Sequence, residues 1–219
     1  MAKKIQKKNI IFDFDGVIIN SHKVKTDAFY RIFQVYGKNY GLRAQRFHLS
    51  NTGKSRYYKF NFILKNILKI NCTRKMINML DRKFDDIVDT GIKKMYPSEY
   101  LIKFLKKNKN TSNYFISTGT PQKKILKILQ EKKIYKYFKK IYGSPKSKIN
   151  HIKDIKKNNN NRCIFIGDSY EDYRAAIKSN CTFILKINSE NQALRKNKNL
   201  NRINSFKHLA QKLEHLNNL

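Results

Sequence analysis

The sequence predicts an α/β fold in which a parallel sheet is covered by crossover helices and interrupted by a helical insertion. Three observations lead there. Short apolar runs recur between segments of helical periodicity. The first run is separated from the second by roughly a hundred residues, far more than a crossover helix needs. Polar residues that have no place in a buried strand gather just after these runs, where open parallel sheets collect ligands.

The first strand is read at Ile10 to Phe14, within Asn9-Ile10-Ile11-Phe12-Asp13-Phe14-Asp15-Gly16-Val17. Ionised groups are costly to bury unless paired or bound to a cation, and Asp is unfavourable in a strand. Asp13 and Asp15 therefore point to chemistry, and the chain reads as an enzyme. The insertion follows. Lys23 to Tyr36 carries Val24, Ala28, Ile32 and Phe33 at helical spacing; Tyr57 to Leu68 and Arg74 to Val88 show the same pattern, and the polar stretch Gly37 to Lys54 reads as a loop. Pro97 starts a helix that ends near Lys107 and leads back to the sheet. Further strands are read at Asn113 to Ser117, Lys140 to Tyr142, Cys163 to Ile166 and Thr182 to Leu185. Helices are read at Lys123 to Gln130, Glu171 to Lys178 and Ser205 to Leu216, with Lys156 to Asn161 a solvated turn of low complexity. The expected division is a core of residues 1–20 and 96–219 and a helical cap of residues 21–95.

At 219 residues the chain can bury a substantial core. Its 48 Lys and Arg against 15 Asp and Glu give a formal charge of +33, the kind of excess that suggests polyanionic partners. Here the excess is spread along the chain, mostly as Lys beside abundant Asn and Ile, residues of A/T-rich codons, so nucleic acid is not the expected partner. The field would still raise the encounter rate of phosphorylated substrates. Cys72, Cys163 and Cys181 are far apart, without a Cys-x-x-Cys pair, so neither a disulfide framework nor a zinc site is indicated, and a reducing cytoplasm fits. The start, Met1 to Lys8, is basic like that of a secretion signal, but the apolar segment after it is broken by Asp13 and Asp15 and has no small-residue cleavage site. No apolar stretch approaches the roughly 20 residues that cross a bilayer, so a cytoplasmic protein away from membranes is expected.

Polar residues follow each strand in turn: Asp13 and Asp15; Ser117, Thr118, Gly119 and Thr120; Gly143 to Lys148; and Gly167, Asp168, Ser169 and Asp172. A phosphate monoester is anionic, so attack by a carboxylate needs cations that screen repulsion and stabilise charge on the phosphoryl oxygens. Asp13, Asp168 and Asp172 suit Mg²⁺, a hard ion held by carboxylates and water. Lys148 offers a point charge and Thr118 a hydroxyl donor. Simpler roles compete. Asp168 and Ser169 could cap the following helix, with Asp172 complementing its dipole; Ser117 could stand in for Thr118, and Lys146 for Lys148.

In this order the segments resemble the four motifs of the haloacid dehalogenase-like superfamily, in its phosphatase branch with a helical cap: Asp13-Phe14-Asp15-Gly16-Val17, Thr118 of Phe115-Ile116-Ser117-Thr118-Gly119, Lys148 of Gly143-Ser144-Pro145-Lys146-Ser147-Lys148, and Gly167-Asp168-Ser169-x-x-Asp172. The resemblance spans the chain to about Leu185 and implies a Rossmann-like core. It also implies that Asp13 is the nucleophile and Asp15 the general acid and then base, with Thr118 and Lys148 completing the catalytic set and Gly119 beside them at the substrate. Mg²⁺ would be held by Asp13, Asp168, Asp172 and the main-chain carbonyl of Asp15. Asp15 favours phosphoryl transfer over dehalogenation, because an alkoxide leaving group needs a proton and a halide does not.

In the cap, the resemblance points to His48, Asn51, Gly53, Ser55, Arg56 and Lys59 as specificity residues, since Gly53-Lys54-Ser55-Arg56 is similar to a loop of sugar-phosphate-handling members. Arg56 could contact a second anionic or hydroxyl-rich part of the substrate, or Ser55 could simply cap a helix and leave Arg56 in solvent. His22 and Lys23 are read as hinge residues or plain surface. The expected partner is a small phosphorylated metabolite, hydrolysed with Mg²⁺. The rivals are a β-phosphoglucomutase-like transfer, whose acid/base hinge pattern is not evident in Asn20 to Thr26, and a non-catalytic polyanion binder on the same scaffold.

Overall fold

The structure is a computed structural model that describes residues 7–157 and 162–216. The chain divides into two compact units, Met1–Ile19 with Pro97–Leu219, and Asn20–Tyr96. In the first unit six parallel strands form one sheet: β1 (Lys8–Phe12), β2 (Ser112–Pro121), β3 (Lys140–Ser144), β4 (Cys163–Gly167), β5 (Thr182–Lys186) and β6 (Asn201–Ile203), in the order β3-β2-β1-β4-β5-β6. The order runs outward from β1 on one side and outward from β4 on the other. The switch point therefore lies between β1 and β4, and a crevice is expected at their carboxyl ends. Ile10 pairs with Tyr114 on one side and Ile164 on the other, and Ile10, Ile11 and Phe12 are fully buried. That double burial is why β1 reads as an unbroken apolar run.

Two strands depart from expectation. β2 does not stop at Ser117 but continues through Thr118, Gly119 and Thr120, with an irregular register against β3 between Ser117 and Pro121. An irregularity of this kind re-aims side chains at a strand end. β6 was not foreseen, because its three residues contribute one buried apolar side chain, Ile203.

The second unit is helical: α1 (His22–Phe33), α2 (Lys38–Ser50), α3 (Arg56–Phe62), continued by a π turn over Ile63–Ile67, and α4 (Arg74–Lys93). The stretch from Gly37 to Lys54, expected as a loop, is mostly α2. Its buried positions are Gly41, Ala44 and His48, which have helical spacing but almost no apolar signal. Phe29, Phe60 and Phe84 form the centre of this unit, with ring centroids 5.4–6.0 Å apart.

The remaining helices belong to the sheet unit: α5 (Glu99–Lys107), α6 (Gln122–Glu131), α7 (Lys148–Lys157), α8 (Tyr170–Lys178), α9 (Gln192–Arg195) and α10 (Leu209–His215). Ile152 and Ile155 of α7 and Ala175 and Ala176 of α8 pack on Ile11, Phe165 and Phe183 of the sheet. Phe12 meets Tyr114, Phe138 and Phe206 at 6.1–6.3 Å. Lys156 and Lys157, expected in a turn, end α7, while positions 158–161 lie outside the described residues. Among the described residues no helix is long and apolar enough to cross a membrane.

Candidate active site

Asp13 directly follows β1, its main-chain N–H donating to Ile166 O at 2.9 Å, so the end of β4 fixes where it emerges. The residue is 2% exposed; Oδ1 accepts from the Phe14 N–H at 2.7 Å, and Oδ2 lies 3.0 Å from the Lys148 ammonium. Asp15 sits in the next turn. Gly16, at φ 77°, turns the chain so that its N–H reaches Ile19 O at 2.7 Å, a conformation any side chain would strain. Asp15 Oδ2 accepts from the Thr120 hydroxyl at 2.9 Å, which ties the second acid to the continued end of β2.

The fourth strand delivers the other two carboxylates. Ser169 caps α8 in a reciprocal box with Asp172, as the simple helix-cap reading expects. Asp172 does more than cap. Its Oδ2 accepts from the N–H groups of Asp168 and Ser169 at 3.2 and 3.0 Å and from the Ser169 hydroxyl at 2.6 Å, and its Oδ1 accepts from Lys148 at 2.5 Å. Gly167 makes this possible, because a Cβ there would fall 2.4 Å from Asp172 Cβ. Asp168 Oδ2 accepts from the Asn188 amide at 2.7 Å. Buried oxygens of Asp13, Asp168 and Asp172 lie within 4.8 Å of one another.

Lys148, at the start of α7, bridges Asp13 and Asp172, whereas Lys146 turns to Asp154. Burial alone would weaken the Lys148 ammonium, but the two carboxylates overcome that and hold it protonated. One cation is not enough. Burial raises the Asp13 carboxyl well above its usual range, the neighbouring Asp172 pushes the same way, Lys148 only partly offsets this, and Asp168 and Asp15 add to the rise. Hard oxygen donors, dry surroundings and surplus negative charge together fit a divalent cation such as Mg²⁺.

Ser117 and Thr118, alternatives in the sequence, take different places. Ser117 is fully buried and its hydroxyl lies 2.8 Å from His151 Nδ1, one turn beyond Lys148 in α7. Thr118 Oγ1 accepts from the Thr120 N–H at 3.1 Å, and Gly119 follows it in β2. His151 is held neutral, its pKa lowered to about 4 by burial and by the charge of Lys148.

In the helical unit, Gly53 turns at φ 83° and the Ser55 hydroxyl accepts from the Tyr58 N–H at 3.3 Å, capping α3. Arg56 is not in solvent but nearly buried against two carboxylates. Its Nη1 donates to Asp85 at 2.6 Å, and its Nε stands 2.5 Å from Asp81 as an ion pair without an aligned hydrogen bond. Asn51 accepts from Lys54 at 2.9 Å, and Lys59, buried, lies 3.1 Å from His48 Nδ1. His22 is buried at the start of α1, while Lys23 is exposed.

Sequence reasoning passed over Thr120 as a partner of Asp15, His151 behind Ser117, and Asn188 and Asn191 beyond β5. The Asn pair follows a strand end, the same signal that exposed the aspartates, but it is hidden in an Asn-rich chain.

A model of the haloacid dehalogenase-like hydrolase family matches residues 10–186. No curated protein matches the chain. Among solved structures, β-phosphoglucomutase from Clostridium difficile superposes with a TM-score of 0.75 at 19% identity, covering 98% of this chain and 100% of its own. A protein described as a predicted phosphoglycolate phosphatase from Haemophilus somnus does so with a TM-score of 0.72 at 15% identity, covering 94% and 97%. A haloacid dehalogenase-like hydrolase from Streptococcus pneumoniae reaches 0.64 at 18% identity, covering 94% and 98%. At these identities the likeness is one of fold.

Proposed function

Because the chain belongs to the haloacid dehalogenase-like hydrolase family, we propose that it is a Mg²⁺-dependent phosphomonoester hydrolase that acts on a small phosphorylated metabolite through an aspartyl-phosphate on Asp13. The observation that carries this reading is the convergence of the buried carboxylates of Asp13, Asp168 and Asp172, with the Lys148 ammonium bridging Asp13 and Asp172. Mg²⁺ would be held by Asp13, Asp168, Asp172 and the carbonyl of Asp15, and when bound it supplies positive charge to the phosphoryl oxygens.

The protein's own groups divide the work. Lys148 lowers the negative potential at Asp13 so that an anionic ester can approach its carboxylate. The Asp13 Oδ atom attacks phosphorus, and the ester oxygen leaves with a proton from Asp15. Asp15, now a carboxylate, takes a proton from the water that attacks the acyl phosphate, which restores Asp13 and releases inorganic phosphate. The Thr120 hydroxyl steadies Asp15, and Thr118 with Gly119 offers donors to the transferring group. The Asn20–Tyr96 unit is the proposed specificity element, through the turn from Asn51 to Ser55 and through Lys59, since the charge of Arg56 is already met by Asp81 and Asp85. Three free thiols suit a cytoplasmic setting.

A screen of phosphorylated metabolites tests the proposal. Inorganic phosphate should appear with Mg²⁺, disappear with chelator, and be undetectable with Asp13→Asn. Isomerised sugar phosphate without released phosphate would make the protein a mutase instead.

A further inference from the structure

The loop after β5 closes on Asp168 from two sides. Asn188 Oδ1 accepts from the N–H groups of Glu190 and Asn191 at 2.9 and 3.1 Å, which fixes the orientation of its amide and turns Nδ2 toward Asp168 Oδ2 at 2.7 Å. Asn191 answers in kind. Its Oδ1 accepts from the Asn188 N–H at 3.2 Å, and its buried amide nitrogen donates to the main-chain carbonyls of Asp168 and Lys186 at 3.1 and 2.9 Å. One asparagine thus holds the Asp168 side chain and the other its backbone. Each is itself locked by the other, so the loop cannot rotate one amide without losing bonds at the second.

A carboxylate that binds a metal binds best when one oxygen is already steered by a donor, because the ion then need not bear the cost of freezing the side chain. The Asn188 amide is a neutral donor. It orients Asp168 without cancelling the charge that a cation needs, as a lysine in the same place would do.

We infer that Asn188, braced by Asn191, is a positioning residue that presents Asp168 to a divalent cation and so sets the metal affinity of the site. This rests on the metal-dependent reading above. Loss of the amide should weaken the metal without altering the chemical step once metal saturates.

The test is Mg²⁺ and Mn²⁺ titration calorimetry on the full chain, with thermal unfolding in chelator as a second readout. Asn188→Ser keeps a short side-chain acceptor for the turn but cannot reach Asp168. It should bind metal about 10- to 100-fold more weakly than wild type. Its melting temperature in chelator should stay near that of wild type, and its turnover at saturating metal should be retained. Unchanged metal affinity in Asn188→Ser would overturn the inference, as would weaker binding accompanied by an equal loss of metal-free stability, which would make Asn188 a loop residue only. Asp168→Asn separates the two levels. If it leaves metal affinity at the wild-type value, the metal site itself is misassigned, whereas an Asp168→Asn defect beside an intact Asn188→Ser refutes only the role of Asn188.

Discussion

Lys148 and Arg56 are both buried cations flanked by two carboxylates, one in each unit, and they differ in what surrounds them. The partners of Arg56, Asp81 and Asp85, keep 24% and 30% of their side-chain surface in water, so the charge is shared with solvent. The partners of Lys148, Asp13 and Asp172, keep 3% and 0%, and Asp168 and Asp15 press further negative charge on Asp13. Two carboxylates on an arginine at a wet edge make a brace. The same motif in a dry crevice with two more acids has an excess of negative charge, which on the proposed function a divalent metal would offset so that an anionic ester could approach.

Replacing each cation by methionine should separate the two roles most widely. Lys148→Met is expected to lower turnover by about 10²- to 10³-fold or more. It should also cost about 3–5 kcal/mol of metal-free stability, because two buried carboxylates lose their partner. Arg56→Met, with partly solvated partners, should cost about 1–3 kcal/mol and leave turnover of the folded protein within a few-fold of wild type. Denaturant unfolding and turnover measured side by side would read both. Equal losses of activity in the two variants would erase the contrast.

The buried histidines offer a second comparison. His151 has a pKa lowered to about 4, and His48 is pushed well below its ordinary value by burial, then by Lys59, Lys25 and His22. A depressed histidine favours the folded state while it is neutral. As pH falls below about 6.5 the unfolded chain takes up the proton first, so stability drops until the folded pKa near 4 is passed. His151 alone should account for up to about 3 kcal/mol between those limits. Urea unfolding from pH 7 to 4 should show a flatter profile for His151→Gln than for wild type. A profile with the same slope would mean that His151 does not carry the dependence.

The smallest contrast is between two helix caps. Ser55→Ala and Ser169→Ala should each cost about 1 kcal/mol. Ser169→Ala should also reduce turnover at saturating substrate, because its hydroxyl bonds Asp172 Oδ2 while Oδ1 faces Lys148, whereas any kinetic effect of Ser55→Ala should fall on KM. Matching kinetics for both variants would show that Asp172 needs no such support.

These contrasts also mark what the sequence could express. Asp13 and Asp15 stood out because carboxylates in an apolar strand run conflict with burial, and Asp168 and Asp172 because they follow another such strand in the order of the motifs. Lys148 stood out through its motif spacing alone, since a lysine in so basic a chain carries no compositional signal. The buried face of α2 is a glycine, an alanine and a histidine, so its periodicity was invisible and it read as a loop. Arg56 stood out through the likeness of Gly53-Lys54-Ser55-Arg56 to a cap loop, while its pairing with Asp81 and Asp85 was hidden because these lie on α4 and only folding brings them to it. Asn188 and Asn191 act through amide orientation, which spacing in the chain does not reveal.

The most direct measurement is a rapid acid quench of the enzyme turning over a phosphorus-labelled monoester with Mg²⁺, followed by peptide mapping. Hydroxylamine-labile label on the peptide containing Asp13, absent from Asp13→Asn and from enzyme in chelator, is the result predicted. Mg²⁺-dependent phosphate release with no label on that peptide, while Asp13→Asn remains active, would contradict it.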